Sequence, residues 1–119
     1  LVAAALGGRK PDAGQHRWTD EMLARVGLAE RARHRPSRLS MGEQQRVAVI
    51  RALINSPRLI LADEPTASLD RDNAAIILEL LQALCREKGS MLILASHDRD
   101  VTARFERLHE LKRPGRNPV

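Results

Sequence analysis

Leu59-Ile60-Leu61-Ala62-Asp63-Glu64-Pro65 is a short apolar run that stops on two carboxylates and a proline. A continuous run of this length, bounded by turn formers, reads as a strand of a parallel sheet buried on both faces. Pro65 is expected to hold Glu64 in an extended backbone at the strand end. The pattern returns at Met91-Leu92-Ile93-Leu94-Ala95, closed by Ser96-His97-Asp98. Between the two runs, Ile77, Leu80, Leu81 and Leu84 recur at helical spacing. Asp70 or Asp72 supplies the N-cap of that helix, and Lys88-Gly89 its stop. Strand, helix, strand is a right-handed βαβ unit with parallel, adjacent strands. It brings Asp63-Glu64 and Ser96-His97 to the carboxyl edge of the sheet, where open α/β sheets bind their ligands.

Upstream lies Leu39-Ser40-Met41-Gly42-Glu43-Gln44-Gln45-Arg46-Val47. Ser40 and Glu43 have the spacing of a capping box, so a helix starts inside this stretch, with Val47, Ile50, Leu53 and Ile54 on its buried face. A capped helix start offers a hydroxyl, free backbone N–H groups and a positive dipole end, all favouring an anion. Asn55-Ser56-Pro57 ends the helix. Further upstream, Gly7 to Gln15 reads as a loop, and a short helix is expected from Asp20 to Val26. Thr19 would cap it, Trp18 would staple onto Leu23, and Gly27 would end it in the left-handed conformation. Arg31 to Arg38 is a basic connector broken by Pro36. Phe105 to Leu111 is expected to form one last short strand or helix, and Lys112 to Val119 a frayed tail.

Composition narrows the function classes. The 119 residues suit one domain, and the net charge of +5 comes mainly from arginine. Trp18 and Phe105 are the only aromatics, which leaves little to stack on bases, so direct nucleic-acid binding is not expected. Cys85 is the single cysteine and reads as a small core residue in a reducing compartment. No apolar run is long enough to span a bilayer. His16, His34 and His109 show no metal-ligand spacing.

Taken in order, Leu39 to Val47, then Leu59 to Pro65, then Ser68-Leu69-Asp70, then Ser96-His97-Asp98, the chain resembles the ATP-binding cassette (ABC) ATPases. Their signature, Walker B, D-loop and H-loop motifs follow one another in this way. The Gly-Glu-Gln-Gln-Arg-Val form is closest in style to the lipoprotein-release and macrolide-export ATPases. Met41 and Glu43 depart from the commonest signature, Leu-Ser-Gly-Gly-Gln. Met41, at the first helical position, is sterically allowed there, so altered contact is expected rather than a broken fold.

The resemblance implies an α/β, partial P-loop NTPase fold: a helical subdomain plus the βαβ of a parallel sheet, lacking the N-terminal P-loop half. About residues 1–55 would form the helical subdomain and signature helix, 56–111 the Walker B, D-loop and H-loop part, and 112–119 the tail. It implies ATP and Mg²⁺ as ligands. Asp63 would meet the metal, through water in view of the reluctance of Mg²⁺ to dehydrate. Glu64 would be the general base, and His97 a polariser near the γ-phosphate. Ser40, Gly42 and Glu43 would close over the nucleotide of a second cassette in a head-to-tail dimer, with Ser68 and Asp70 at the interface. A membrane-spanning permease would be the other partner, placing the chain on the cytoplasmic face of a membrane.

No Gly-x-x-x-x-Gly-Lys-Ser/Thr and no Gly-Lys dipeptide occurs, and the first residue is Leu1. The expectation is a C-terminal piece of a longer protein that alone neither binds nor hydrolyses ATP usefully, because the phosphate-gripping loop is missing. An inert product or interaction module, and an ABC ATPase of DNA repair or translation, are the competing readings.

Overall fold

The computed structural model describes residues 10–31 and 38–112. Expectations for Gly7 to Arg9, for the middle of the basic connector and for most of the tail lie outside the described residues. The elements run α1 (Ala13–Arg25), a 3₁₀ turn (Ala29–Arg31), α2 (Met41–Leu53), β1 (Leu59–Asp63), α3 (Arg71–Lys88), β2 (Met91–Ala95) and the single turn α4 (Arg99–Thr102).

The βαβ unit forms as its pattern predicts. β1 and β2 pair in parallel, from Leu59 opposite Met91 to Asp63 opposite Ala95. α3 crosses between them, capped by Asp70 at its start and ended by Gly89 in the left-handed region at φ 66°. Ile77, Leu80, Leu81 and Leu84 are buried, joined by Leu78 and Cys85. Burial pushes the Cys85 thiol up, as fits an inert core sulfur. α2 lies against α3, and Ile50, Leu53 and Ile54 join the core together with Val49, while Val47 is only half-buried.

Two expectations fail at the amino end. α1 begins at Ala13, not Asp20, because Asp12 and Gln15 form a capping box: Asp12 Oδ1 accepts from the Gln15 N–H at 2.8 Å, and Gln15 Oε1 accepts from the Asp12 N–H at 3.0 Å. Such a cap stabilises a helix by about 1 kcal/mol. Thr19 is therefore no cap: it is buried mid-helix, and its hydroxyl donates to the Gln15 carbonyl at 2.8 Å. Trp18, inside α1 rather than before it, is likewise no staple onto Leu23: it packs beside Ile54 and the core, with the Lys88 ammonium 4.1 Å from its ring centroid. Gly27 does take the left-handed conformation, at φ 75°. At the other end, Phe105 to Leu111 forms no regular element, and α4 precedes it instead.

The sheet departs from expectation most. Ile60, Ala62, Leu92 and Leu94 turn toward the core, but Leu61 is 72 % and Ile93 54 % exposed, and Leu59 and Met91 are exposed beside them. Among the described residues, α3 packs on one face of the strands and nothing covers the other. An open apolar face beside unpaired strand edges favours association. The 119-residue chain is expected to self-associate, and Leu61→Lys with Ile93→Lys to shift it toward monomer in sedimentation velocity. Monomeric behaviour of the unsubstituted chain would contradict this.

Candidate functional site

The parallel register puts the ends of β1 and β2 side by side, and the first cluster forms there. The Glu64 N–H donates to the Ala95 carbonyl at 2.9 Å, extending the ladder past Asp63. Glu64 then turns into the left-handed region, at φ 45°. This corrects the expected extended backbone. Proline disfavours the right-handed helical region for the residue before it, yet the turn at Glu64 is bought by its neighbours. The Ala67 N–H donates to the Glu64 carbonyl at 3.2 Å, and Gln45 Nε2 of α2 donates to the Pro65 carbonyl at 2.6 Å.

The turned backbone directs the Glu64 carboxylate onto the end of β2. Oε1 accepts from the His97 N–H at 3.0 Å and lies 2.6 Å from His97 Nδ1; Oε2 accepts from the Ser96 hydroxyl at 3.2 Å. The His97 imidazole, first by hydrogen bonding, holds the Glu64 carboxyl below its ordinary value. In return Glu64 raises the imidazole, by the same hydrogen bond and then by its charge. Asp63 ends β1 as an exposed residue. Among the described residues no hydrogen bond or ion pair reaches its side chain, and no group of three or more His, Cys, Asp or Glu could hold a metal ion.

The second cluster joins the starts of α2 and α3. Ser40 caps α2 as its spacing predicts: the hydroxyl accepts from the Glu43 N–H at 3.2 Å, and Glu43 Oε2 accepts from the Ser40 N–H at 2.8 Å. The Ser40 N–H is thus not free, and the open donors are those of the first turn, at Met41 and Gly42. Arg31 reaches Glu43 Oε2 at 3.4 Å. The Ser40 N–H, followed by the Arg31 charge, outweighs partial desolvation and keeps Glu43 below its ordinary value. Met41 is helical and exposed, in keeping with the expectation for that position.

Gly42 is buried against α3. A Cβ at this position would stand 2.8 Å from Asn73 Oδ1 and 3.1 Å from Asn73 Cγ, so any larger residue would have to displace the Asn73 amide. Asp70 caps α3, accepting from the Asn73 N–H at 2.9 Å and from Asn73 Nδ2 at 2.7 Å. These two bonds hold the Asp70 carboxyl low. Ser68 lies exposed in the turn before it.

The eight residues singled out by sequence thus fall into two groups: Asp63, Glu64 and His97 at the strand ends, and Ser40, Gly42, Glu43 and Asp70, with Ser68 nearby in sequence, at the helix starts. Among the described residues, Gln45 links the groups through the Pro65 carbonyl. Sequence reading placed Ser96 at the sheet edge and Gln45 in the signature stretch without giving either a contact, and it missed Asn73 altogether. Of these only Asn73 carried a signal, lying three residues after a capping aspartate.

Known proteins match the chain in sequence and fold. A profile of the ABC transporter family matches residues 6–67, more than half of the chain. A dimeric structure of the bacterial ABC transporter cassette MJ0796 is 40 % identical over 82 % of this chain, with a TM-score of 0.64. Its post-hydrolysis state, bound to ADP and Pi, is 39 % identical over 85 % of the chain, with a TM-score of 0.63. The structure of cbiO1 from clostridium perfringens, part of the ABC transporter complex cbiONQ, is 32 % identical over 84 % of the chain, with a TM-score of 0.69. The chain spans 40 % to 44 % of the length of these chains.

The Glu64–His97 pair has a pH signature. A raised imidazole contributes its stabilisation below the ordinary histidine value and loses it as pH rises through the raised one. A lowered carboxyl contributes above the ordinary glutamate value and loses it as pH falls through the lowered one. The pair is therefore intact between those two limits. In a nucleotide-free NMR titration, His97 is expected to titrate above an ordinary histidine and to fall back toward it in Glu64→Gln. An unchanged His97 midpoint in the variant would contradict the pairing.

Proposed function

This chain belongs to the ABC transporter family, and we propose that it carries the signature, Walker B, D-loop and H-loop residues of an ATP-hydrolysing cassette that drives transport across a membrane. The observation that carries the reading is the cluster of Glu64, Ser96 and His97 at adjacent parallel strand ends, with Asp63 one residue away. Hydrolysis needs a water aimed in line with the bond that breaks and a group to receive its proton.

Glu64 is the proposed proton acceptor, at Oε2. Oε1 is engaged twice by His97, whereas Oε2 accepts only from the Ser96 hydroxyl and keeps a lone pair free. His97 is a positioning and polarising group in this reading: its two contacts fix the carboxylate, and the far ring nitrogen is left to face a phosphate. Asp63 suits a magnesium ion that arrives with phosphates. Mg²⁺ takes one or two carboxylates and fills its shell with phosphate oxygens and water, so a lone, exposed carboxylate fits better than a cage. Bound there, the ion would neutralise phosphate charge.

Ser40, the Gly42 backbone and the nearby Glu43 form a separate anion-facing surface at the start of α2. We assign it to the nucleotide of a second cassette in a head-to-tail dimer, with Ser68 and Asp70 at the interface between the two. A membrane-spanning permease is the proposed second partner, with the cassette peripheral on the cytoplasmic face. No described helix is long and apolar enough to cross a membrane itself. The proposed division keeps residues 1–55 as helical subdomain and signature helix and 56–111 as the βαβ part. The 119 residues contain no Gly-x-x-x-x-Gly-Lys-Ser/Thr, so turnover is proposed for the complete cassette.

Two substitutions in the complete cassette test these roles. Glu64→Gln is expected to lower ATP turnover by about 10²-fold or more while leaving equilibrium ATP binding intact, the loss typical of a removed general base. Retained turnover would remove Glu64 from that role. Ser40→Arg is expected to block ATP-driven dimerisation in size-exclusion chromatography, and normal dimers would overturn the assignment of Ser40.

A further inference from the structure

The starts of α2 and α3 meet at one side chain that none of the motifs contains. Asn73 sits at the third helical position of α3. Its Nδ2 donates to Asp70 Oδ2 at 2.7 Å, and its Oδ1 accepts from Arg46 Nη2 at 3.2 Å. The same Oδ1 occupies the space that a Cβ on Gly42 would need. The orientation of the amide is fixed by chemistry. A carboxylate only accepts and a guanidinium only donates, so Nδ2 must face Asp70 and Oδ1 must face Arg46. No other side chain of this length presents a donor to one and an acceptor to the other.

We propose that Asn73 is a positioning residue that locks the signature-helix start to the D-loop, so that the Ser40–Gly42 surface and Asp70 move as one body. The inference rests on the reading that both surfaces meet a second cassette. α2 and α3 share an apolar core further along, but at their starts no hydrogen bond among the described residues joins Ser40 to α3 or Asp70 to α2, so Asn73 supplies the polar tie there. Without Asn73, Asp70 would keep only its backbone partner, and Arg46 would lose its bond to α3. Arg46 can ill spare it, since its Nε is already buried without a partner among the described residues.

The test uses the complete cassette and the isosteric Asn73→Asp. An aspartate in the first turn of a helix is favoured by the dipole, and its carboxylate still accepts from Arg46, so the fold is retained. What is lost is the donor to Asp70, replaced by two like charges at hydrogen-bonding distance. ATP-driven dimerisation is expected to weaken roughly tenfold or more and the melting temperature to fall by a few degrees with the lost intrachain hydrogen bond, while ATP binding to the single cassette stays near that of the unsubstituted protein. A melting temperature that falls with dimerisation unchanged would make Asn73 merely structural and overturn the proposal.

A second pair of variants probes the close approach. Gly42→Ala is expected to impair dimerisation by displacing the amide, and Asn73→Ala added to it to restore part of the loss by making room. Losses that simply add would show that the two residues are not coupled, again overturning the proposal. Ser40→Arg, measured alongside, separates the two levels of inference. If it leaves dimers intact, the dimer reading fails and the Asn73 proposal falls with it. If it blocks them while Asn73→Asp does not weaken them, only the Asn73 proposal falls.

Discussion

Everything chemical in this chain depends on the register of two short parallel strands. Asp63 stands opposite Ala95, and the Glu64 N–H reaches the Ala95 carbonyl one step further on. A slip of one residue would turn every side chain of one strand to the other face. Ile60 and Ala62 would leave the core, and the end of β1 would no longer face Ser96 and His97. The register is held by the apolar alternation on the covered face and by α3, whose length and two caps fix where the crossover begins and ends. Parallel strands require such a crossover, so the site could not exist without the helix that spans it.

The second constraint is the placement of two helix starts against one another. Each leaves open N–H groups and a partial positive charge, and two such ends side by side repel unless anionic groups offset them. The chain places Glu43 at one and Asp70 at the other, both held in the charged form by the donors they cap. Asn73 bridges the gap without adding charge. Gly42 permits the approach by having no side chain. The arrangement is therefore balanced internally, and the first-turn N–H groups of Met41 and Gly42 have no hydrogen-bond partner among the described residues.

Where local chemistry decides structure, the sequence was legible. Ser40 with Glu43, Asp70, Gly89 and Gly27 each behave as their residue types predict, because a cap or a left-handed terminus is settled within a few residues. At α1 two local signals compete: Asp12-Ala13-Gly14-Gln15 is a capping box, while Pro11 and Gly14 read as breakers, and the cap prevails. The turn at Glu64 was not legible. It depends on the Ser96 and His97 donors and on Gln45, which are distant in sequence and meet Glu64 and Pro65 only in the fold. The exposed face of the sheet was misread for a related reason. Apolar residues on both sides of β1 and β2 show that both faces suit burial, but sequence pattern alone does not say what covers them. In a chain that spans under half the length of the cassettes it matches, the described residues cover one face.

Most of the motif residues hold structure as well as chemistry, and this changes how their substitution must be read. Gly42 leaves room for the Asn73 amide, and Asp70 caps an eighteen-residue helix. Loss of activity on changing either residue would mix a displaced helix with a lost contact. Ser40 shares its hydroxyl between a cap and whatever lies beyond it. Glu64 is different. Its backbone holds the strand end, but its carboxylate supports no helix and lies near the surface, meeting only Ser96 and His97. Replacing that carboxylate with an amide leaves the register and the helix caps in place and would alter the proposed proton chemistry. At Glu64, as at Asp63, whose side chain has no partner among the described residues, the proposed role therefore separates from the fold more cleanly than at Gly42 or Asp70.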